Sequence, residues 1–316
     1  MARITDERAL TRLAPAAARL GHALGRPVPI AVVSLVVLAG LGWIYLVLLV
    51  AGWAARGDAA ALGPGMGVLD LLTRRDGVAL IGRALFDVLC RPSFGSQGVQ
   101  GVAAQAAQGA LVLLMWVAMT LAMMLPTAAG MIVTYAQIAD TAARKGEPAV
   151  SPLILTAGYV AVWLGFALAA TVLQVALTNV ALLDPAMASA SPLFSGAVFL
   201  GAGAYQFTAL KHACLTRCQR PFPFFFANWS SAPRTIFRLG LQQGLFCLGC
   251  CWATMLAIFA VGVMNVVWMV ALGLVMTVEK QMLTTRFSRL IGAIFLAIGV
   301  AFIASSVAAH WPHGPT

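Results

Sequence analysis

Seven stretches of about twenty apolar residues succeed one another along the chain. They run at about Pro29–Trp53, Gly109–Ala136, Pro152–Thr178, Pro192–Lys211, Ile236–Ala260, Gly262–Glu279 and Leu290–Ala309. Such a run is long enough to cross a hydrocarbon layer of about 30 Å. Lipid offers no partner to a backbone amide, so only helices or closed barrels can occupy it. The alternating ten-residue pattern of a barrel is absent, and the first run is too long for the core of a cleaved signal peptide. The expected fold is therefore all-α: a polytopic transmembrane helix bundle of about seven spans. Composition agrees, with 61% hydrophobic and 9% charged residues.

Basic residues orient the bundle. The N-terminal arm carries Arg3, Arg8, Arg12, Arg19 and Arg26. Arg144 and Lys145 follow the second run, Lys211, Arg217, Arg220 and Arg234 the fourth, and Lys280, Arg286 and Arg289 the sixth, while the loop around Asp184 has none. With the N-terminus inside, every basic short loop falls on the cytoplasmic side, as the positive-inside rule requires. The expectation is a bacterial inner-membrane protein with its C-terminus outside. Residues 1–28 form a basic cytoplasmic arm, 29–309 the transmembrane domain, and 310–316 an external tail. The external loop 54–108 is expected to carry amphipathic helices, since Val68, Leu71, Leu72, Leu80, Ile81 and Leu85 recur at loosely helical spacing. The net charge of +10 is spread over these loops, where topology and anionic headgroups account for it. The bilayer is the expected partner, and nucleic acid is not.

Five of the six cysteines fall in one window: Cys214, Cys218, Cys247, Cys250 and Cys251. Cys90 stands apart and is read as packing. On a helix, Gln243, Cys247, Cys250/Cys251 and Met255 share a face, as do Lys211, Cys214 and Cys218 if the fourth helix continues into the cytosol. Sulfur is soft and suits copper(I), zinc or iron–sulfur centres. The expected topology puts these thiols toward the reducing side, which favours free ligands over a disulfide. Met123 and Met124 add thioethers at similar depth beside Pro126, whose missing N–H frees a carbonyl. The thioethers and thiolates together favour copper(I), with zinc or iron as alternatives. Glu279 either balances a metal's charge, pairs with Lys211, or anchors the helix end beside Lys280. The expected metal set is thus Cys214, Cys218, Cys247, Cys250, Cys251, Met123, Met124 and Glu279, arranged as a surface pair and a buried cluster.

Other chemistries lack their residues. The chain has four histidines, His22, His212, His310 and His313, none inside a run, so paired-histidine haem ligation has no basis. No HExxH, Gly-rich phosphate loop or GxSxG elbow occurs.

Several segments together resemble a bacterial family described as predicted metal-binding integral membrane proteins. They are Ala122-Met123-Met124-Leu125-Pro126, Gly158–Trp163, Tyr205-Gln206 with Lys211, Cys214 and Cys218, Cys247-Leu248-Gly249-Cys250-Cys251-Trp252, Gly262–Asn265 and Glu279-Lys280. The likeness covers about Leu111–Gly299. It implies metal binding without a defined reaction. In that pattern a histidine is usual where Gln243 stands and a tyrosine where Phe246 stands. The expected function is copper handling (delivery, export or storage) at a thiolate-rich site. The alternatives are a membrane oxidoreductase using the cysteines or their metal, and a subunit that holds a protein partner in the membrane while its cysteines only pack.

Overall fold

The computed structural model describes residues 26–54, 63–66, 102–184, 187–282 and 284–310. Most of the basic arm, the external tail, Cys90 and the expected amphipathic helices of the 54–108 loop lie outside the described residues. Within them the regular structure is helical: α1 Pro27–Ala54, α2 Val102–Arg144, α3 Pro152–Asn179, α4 Pro192–Tyr205, α5 Ala209–Gln219, α6 Pro221–Ala227, α7 Pro233–Leu256, α8 Ile258–Val261, α9 Val266–Gln281 and α10 Thr285–His310.

Local chemistry sets many of these starts. Ser151, Ser191, Thr208 and Asn265 each cap a helix by accepting a backbone N–H one turn in or sooner, at α3, α4, α5 and α9. Proline follows the first two caps, where its missing N–H costs nothing. α2 runs unbroken through Pro126, which faces outward.

Five helices are long and apolar enough to cross a membrane: Pro27–Ala51, Ala106–Arg144, Pro152–Asn179, Pro233–Val261 and Thr285–Ala308. The other two expected spans differ from the forecast. The fourth is broken: α4 and α5 meet at a 65° bend after Tyr205, where Thr208 starts a new helix. The sixth is α9, whose 16 residues reach only about 24 Å at 1.5 Å each. Its start is displaced because Gly262, at φ 107°, turns the chain and Asn265 caps the returning helix. The expectation that the fourth helix continues straight into the cytosol is therefore corrected, and the bend is what builds the site.

Close helix contacts are made where side chains are missing. A Cβ on Gly158 of α3 would overlap the Phe237 carbonyl of α7, and Gly240 of α7 meets Leu155 in the same way. Gly203 of α4 would place a Cβ 2.9 Å from the backbone nitrogen of Leu296 in α10. Its neighbour Gly201 faces open space. Small residues allow such approach in apolar surroundings, where packing rather than water exclusion drives association. α1 packs on α2, α3 on α7 and α4 on α10, while α5 lies against α7, and α6 and α9 against α2.

Candidate metal centre

The inward stripe of α7 follows the helical repeat. Gln243, Cys247, Cys250, Cys251 and Met255 are all buried, whereas Leu245 and Trp252 point outward. Cysteine is an ordinary small buried residue on its own. What sets this stripe apart is the element facing it.

After the 65° bend, α5 lies against α7 instead of leaving the bundle. Its path depends on Gly249, since a Cβ there would sit 2.6 Å from the Cys214 sulfur. One turn on, Cys218 Sγ is 4.0 Å from Cys250 Sγ. Cys250 Sγ is 3.3 Å from Cys251 Sγ and donates to the Cys247 carbonyl at 3.2 Å. All five thiols are free. The expected separation into a surface pair and a buried cluster is thus lost: Cys218 touches the buried cysteines, and Cys214 stands over Gly249 beside them.

Two sulfurs on one metal ion at about 2.3 Å, in tetrahedral geometry, lie about 3.8 Å apart. The separations of 3.3 and 4.0 Å fall on either side of that value. The donor set suits a soft ion, yet it is not assembled around a point. Among the described residues, no three His, Cys, Asp or Glu side chains are arranged to hold a metal. The thiols are turned to other partners, Cys250 to its own helix and Cys247 to a different group of side chains.

Cys247 receives the most attention. Lys280 Nζ donates to its sulfur at 3.0 Å and to Thr127 Oγ1 at 2.6 Å. The Tyr159 hydroxyl is 3.0 Å from the same sulfur and 3.2 Å from the Met124 carbonyl. A lysine head group and a phenol on one buried sulfur form an arrangement suited to negative charge there. The sequence reading missed Lys280, Tyr159 and Thr127 as site residues. A signal existed in Glu279-Lys280, because adjacent residues on a helix point about 100° apart and so serve different neighbours.

Glu279 takes the second of its three expected roles. It pairs with Lys211 at 2.8 Å, with both side chains buried, and its other oxygen accepts from Ser288. Lys211 also donates to the Cys250 carbonyl at 3.0 Å. Glu279 thus ties α5, α7, α9 and α10 together, with both of its side-chain oxygens taken by Lys211 and Ser288. Met123 packs over Gly273 of α9, and Met124 lines a small separate cavity with Tyr159 and Trp163. Met124 meets the site through its carbonyl, not through its thioether.

A cavity of about 220 Å³ adjoins the cluster. Its wall includes Cys218, Cys247, Lys280, Tyr159 and Gln243, and it opens beside the exposed residues Gly130 and Gln281. The Gln243 side-chain nitrogen is buried there without an acceptor.

Span-length helices around converging free cysteines define a helical bundle with a sulfur-rich interior, a class suited to soft metal ions. A family model described as PpoB2, copper chaperone, matches residues 113–302, more than half of the chain. The chain belongs to that family, and its role lies in copper handling. No curated protein and no solved structure matches it.

Proposed function

We propose that this chain is a membrane-embedded copper chaperone that carries Cu(I) as cargo on a sulfur cluster shared by α5 and α7. The observation that carries this reading is the 4.0 Å contact between Cys218 and Cys250, next to Cys251 and Cys247, in a chain of the copper chaperone family. Thiolates hold Cu(I) because both partners are soft. In this reading Cys218, Cys247, Cys250 and Cys251 supply the sulfur ligands, and Cys214 stands next to them over Gly249. Binding copper would take Cys250 from the Cys247 carbonyl that it now meets. Met123, Met124 and Glu279 stand outside the ligand set.

Lys280, Thr127 and Tyr159 support Cys247 from behind. Copper(I) held by more than one thiolate carries net negative charge, which is costly in apolar surroundings unless a cation is near. The Lys280 head group supplies one at 3.0 Å. The chain sits in the bacterial inner membrane with its N-terminus inside and its C-terminus outside, so the cluster opens toward the cytoplasm. A reporter fused after Glu147 or Ser230 reads cytoplasmic in that arrangement, and one after Thr316 reads external. An external signal at Ser230 would contradict it.

Serine at Cys247, Cys250 and Cys251 together tests the copper reading. A hydroxyl is a poor ligand for a soft ion, so the triple variant, purified without oxygen, should retain no Cu(I) after desalting while the parent does. Equal copper in both would overturn the reading. Cys90→Ser should leave bound copper unchanged.

A further inference from the structure

Beside the thiols, the cavity has a chemistry of its own. Gln243 Nε2 is buried on its wall with no acceptor. An unpaired buried amide is costly, and its donor is best satisfied by something that enters the cavity. Lys280 brings a cation to the same wall, no Asp or Glu among the described residues lines the space, and Gln281 stands at its mouth. The volume of about 220 Å³ admits a molecule of a few heavy atoms. Cys218 and Cys247, from α5 and α7, both reach this space. An unpaired donor and a cation call for an anion, and two thiols beside them call for a soft atom on the same visitor.

We infer that the cavity is a docking pocket for a small carboxylate-bearing thiol that delivers Cu(I) to the cluster, an inference that rests on the copper reading above. The carboxylate accepts from Gln243 and faces Lys280, and the carrier's sulfur is thereby set beside Cys218 and Cys247. Transfer is a ligand exchange. A copper–sulfur bond to Cys218 or Cys247 forms as the bond to the carrier breaks. The proton of the incoming cysteine thiol passes to the departing carrier thiolate, and copper remains Cu(I), so no electron moves.

Two carriers of similar size and the same donor atom separate the carboxylate from the sulfur. The full chain in detergent, without oxygen, is offered Cu(I) as its mercaptoacetate complex or as its 2-mercaptoethanol complex. Loading is followed by the ultraviolet absorption of the new copper–thiolate bonds. The parent should load from mercaptoacetate about tenfold faster, the effect of a charge-assisted hydrogen bond. Gln243→Leu, which is close in volume and removes the side-chain amide with its unpaired donor, should abolish that preference without changing the final copper content. Gln243→Glu should reverse it. In the parent, added acetate should slow loading from mercaptoacetate and leave loading from 2-mercaptoethanol unchanged, a test that needs no variant. Equal rates in the parent, a preference that survives Gln243→Leu, or indifference to acetate would each overturn the inference and leave the amide satisfied by water. Those results would still show copper bound at the end. No copper bound from either complex would instead defeat the copper reading, and the docking pocket with it.

Discussion

The two sides of the inner end of α9 hold adjacent charges in opposite ways. On one side Glu279 pairs with Lys211, and Ser288 and the Cys250 carbonyl add a partner to each. On the other side Lys280 meets a sulfur, a threonine and a cavity with an unpaired amide. The first arrangement is closed by those partners, with both carboxylate oxygens paired. The second leaves donors and soft atoms facing a space. The comparison teaches that a buried charge is by itself no sign of a site. What marks the site is incomplete satisfaction beside reactive atoms.

Breaking the closed side should have the largest effect. Lys211→Met leaves Glu279 buried without its cation, so thermal unfolding in detergent should show a loss of about 3–5 kcal/mol. An unchanged midpoint would mean that Glu279 reaches water. The open side should respond in function instead. Lys280→Met should weaken Cu(I) binding by about 10–100-fold, measured by competition with a chromogenic Cu(I) chelator, as expected for a group that supports a ligand from behind. Its unfolding midpoint should fall far less than that of Lys211→Met. Equal stability losses in the two variants would erase the distinction between the sides.

Two substitutions sharpen the contrast further. Gly249→Ala forces a Cβ to within 2.6 Å of the Cys214 sulfur and should push α5 from α7, costing about 1–3 kcal/mol and slowing copper uptake. Gly201→Ala is the matched control, because its Cβ meets nothing within 4 Å. It should cost no stability, since alanine is the better helix former. A Gly249→Ala variant as stable as Gly201→Ala would show that α5 does not rest on that glycine.

The helical class and the cysteine stripe of α7 were legible in the sequence because both are periodic. Apolar runs reveal spans, and Gln243, Cys247, Cys250, Cys251 and Met255 recur at the helical repeat. The bend between α4 and α5 was not legible from hydropathy, which continues across it. Only Thr208, a capping residue within an apolar run, hinted at a new helix start. That one feature moved Cys218 from an expected surface station to the buried cluster. The partners of Glu279 and Lys280 were ambiguous for another reason. Sequence spacing assigns the two residues to different faces of α9 but says nothing about which helices those faces meet.

The measurement closest to the central claim is X-ray absorption at the copper edge on the Cu(I)-loaded full chain. A cluster shared by α5 and α7 predicts a first shell made only of sulfur, with one neighbour fewer in Cys218→Ser than in the parent. A shell containing nitrogen or oxygen in the parent, or an identical sulfur shell after Cys218→Ser, would contradict the claim.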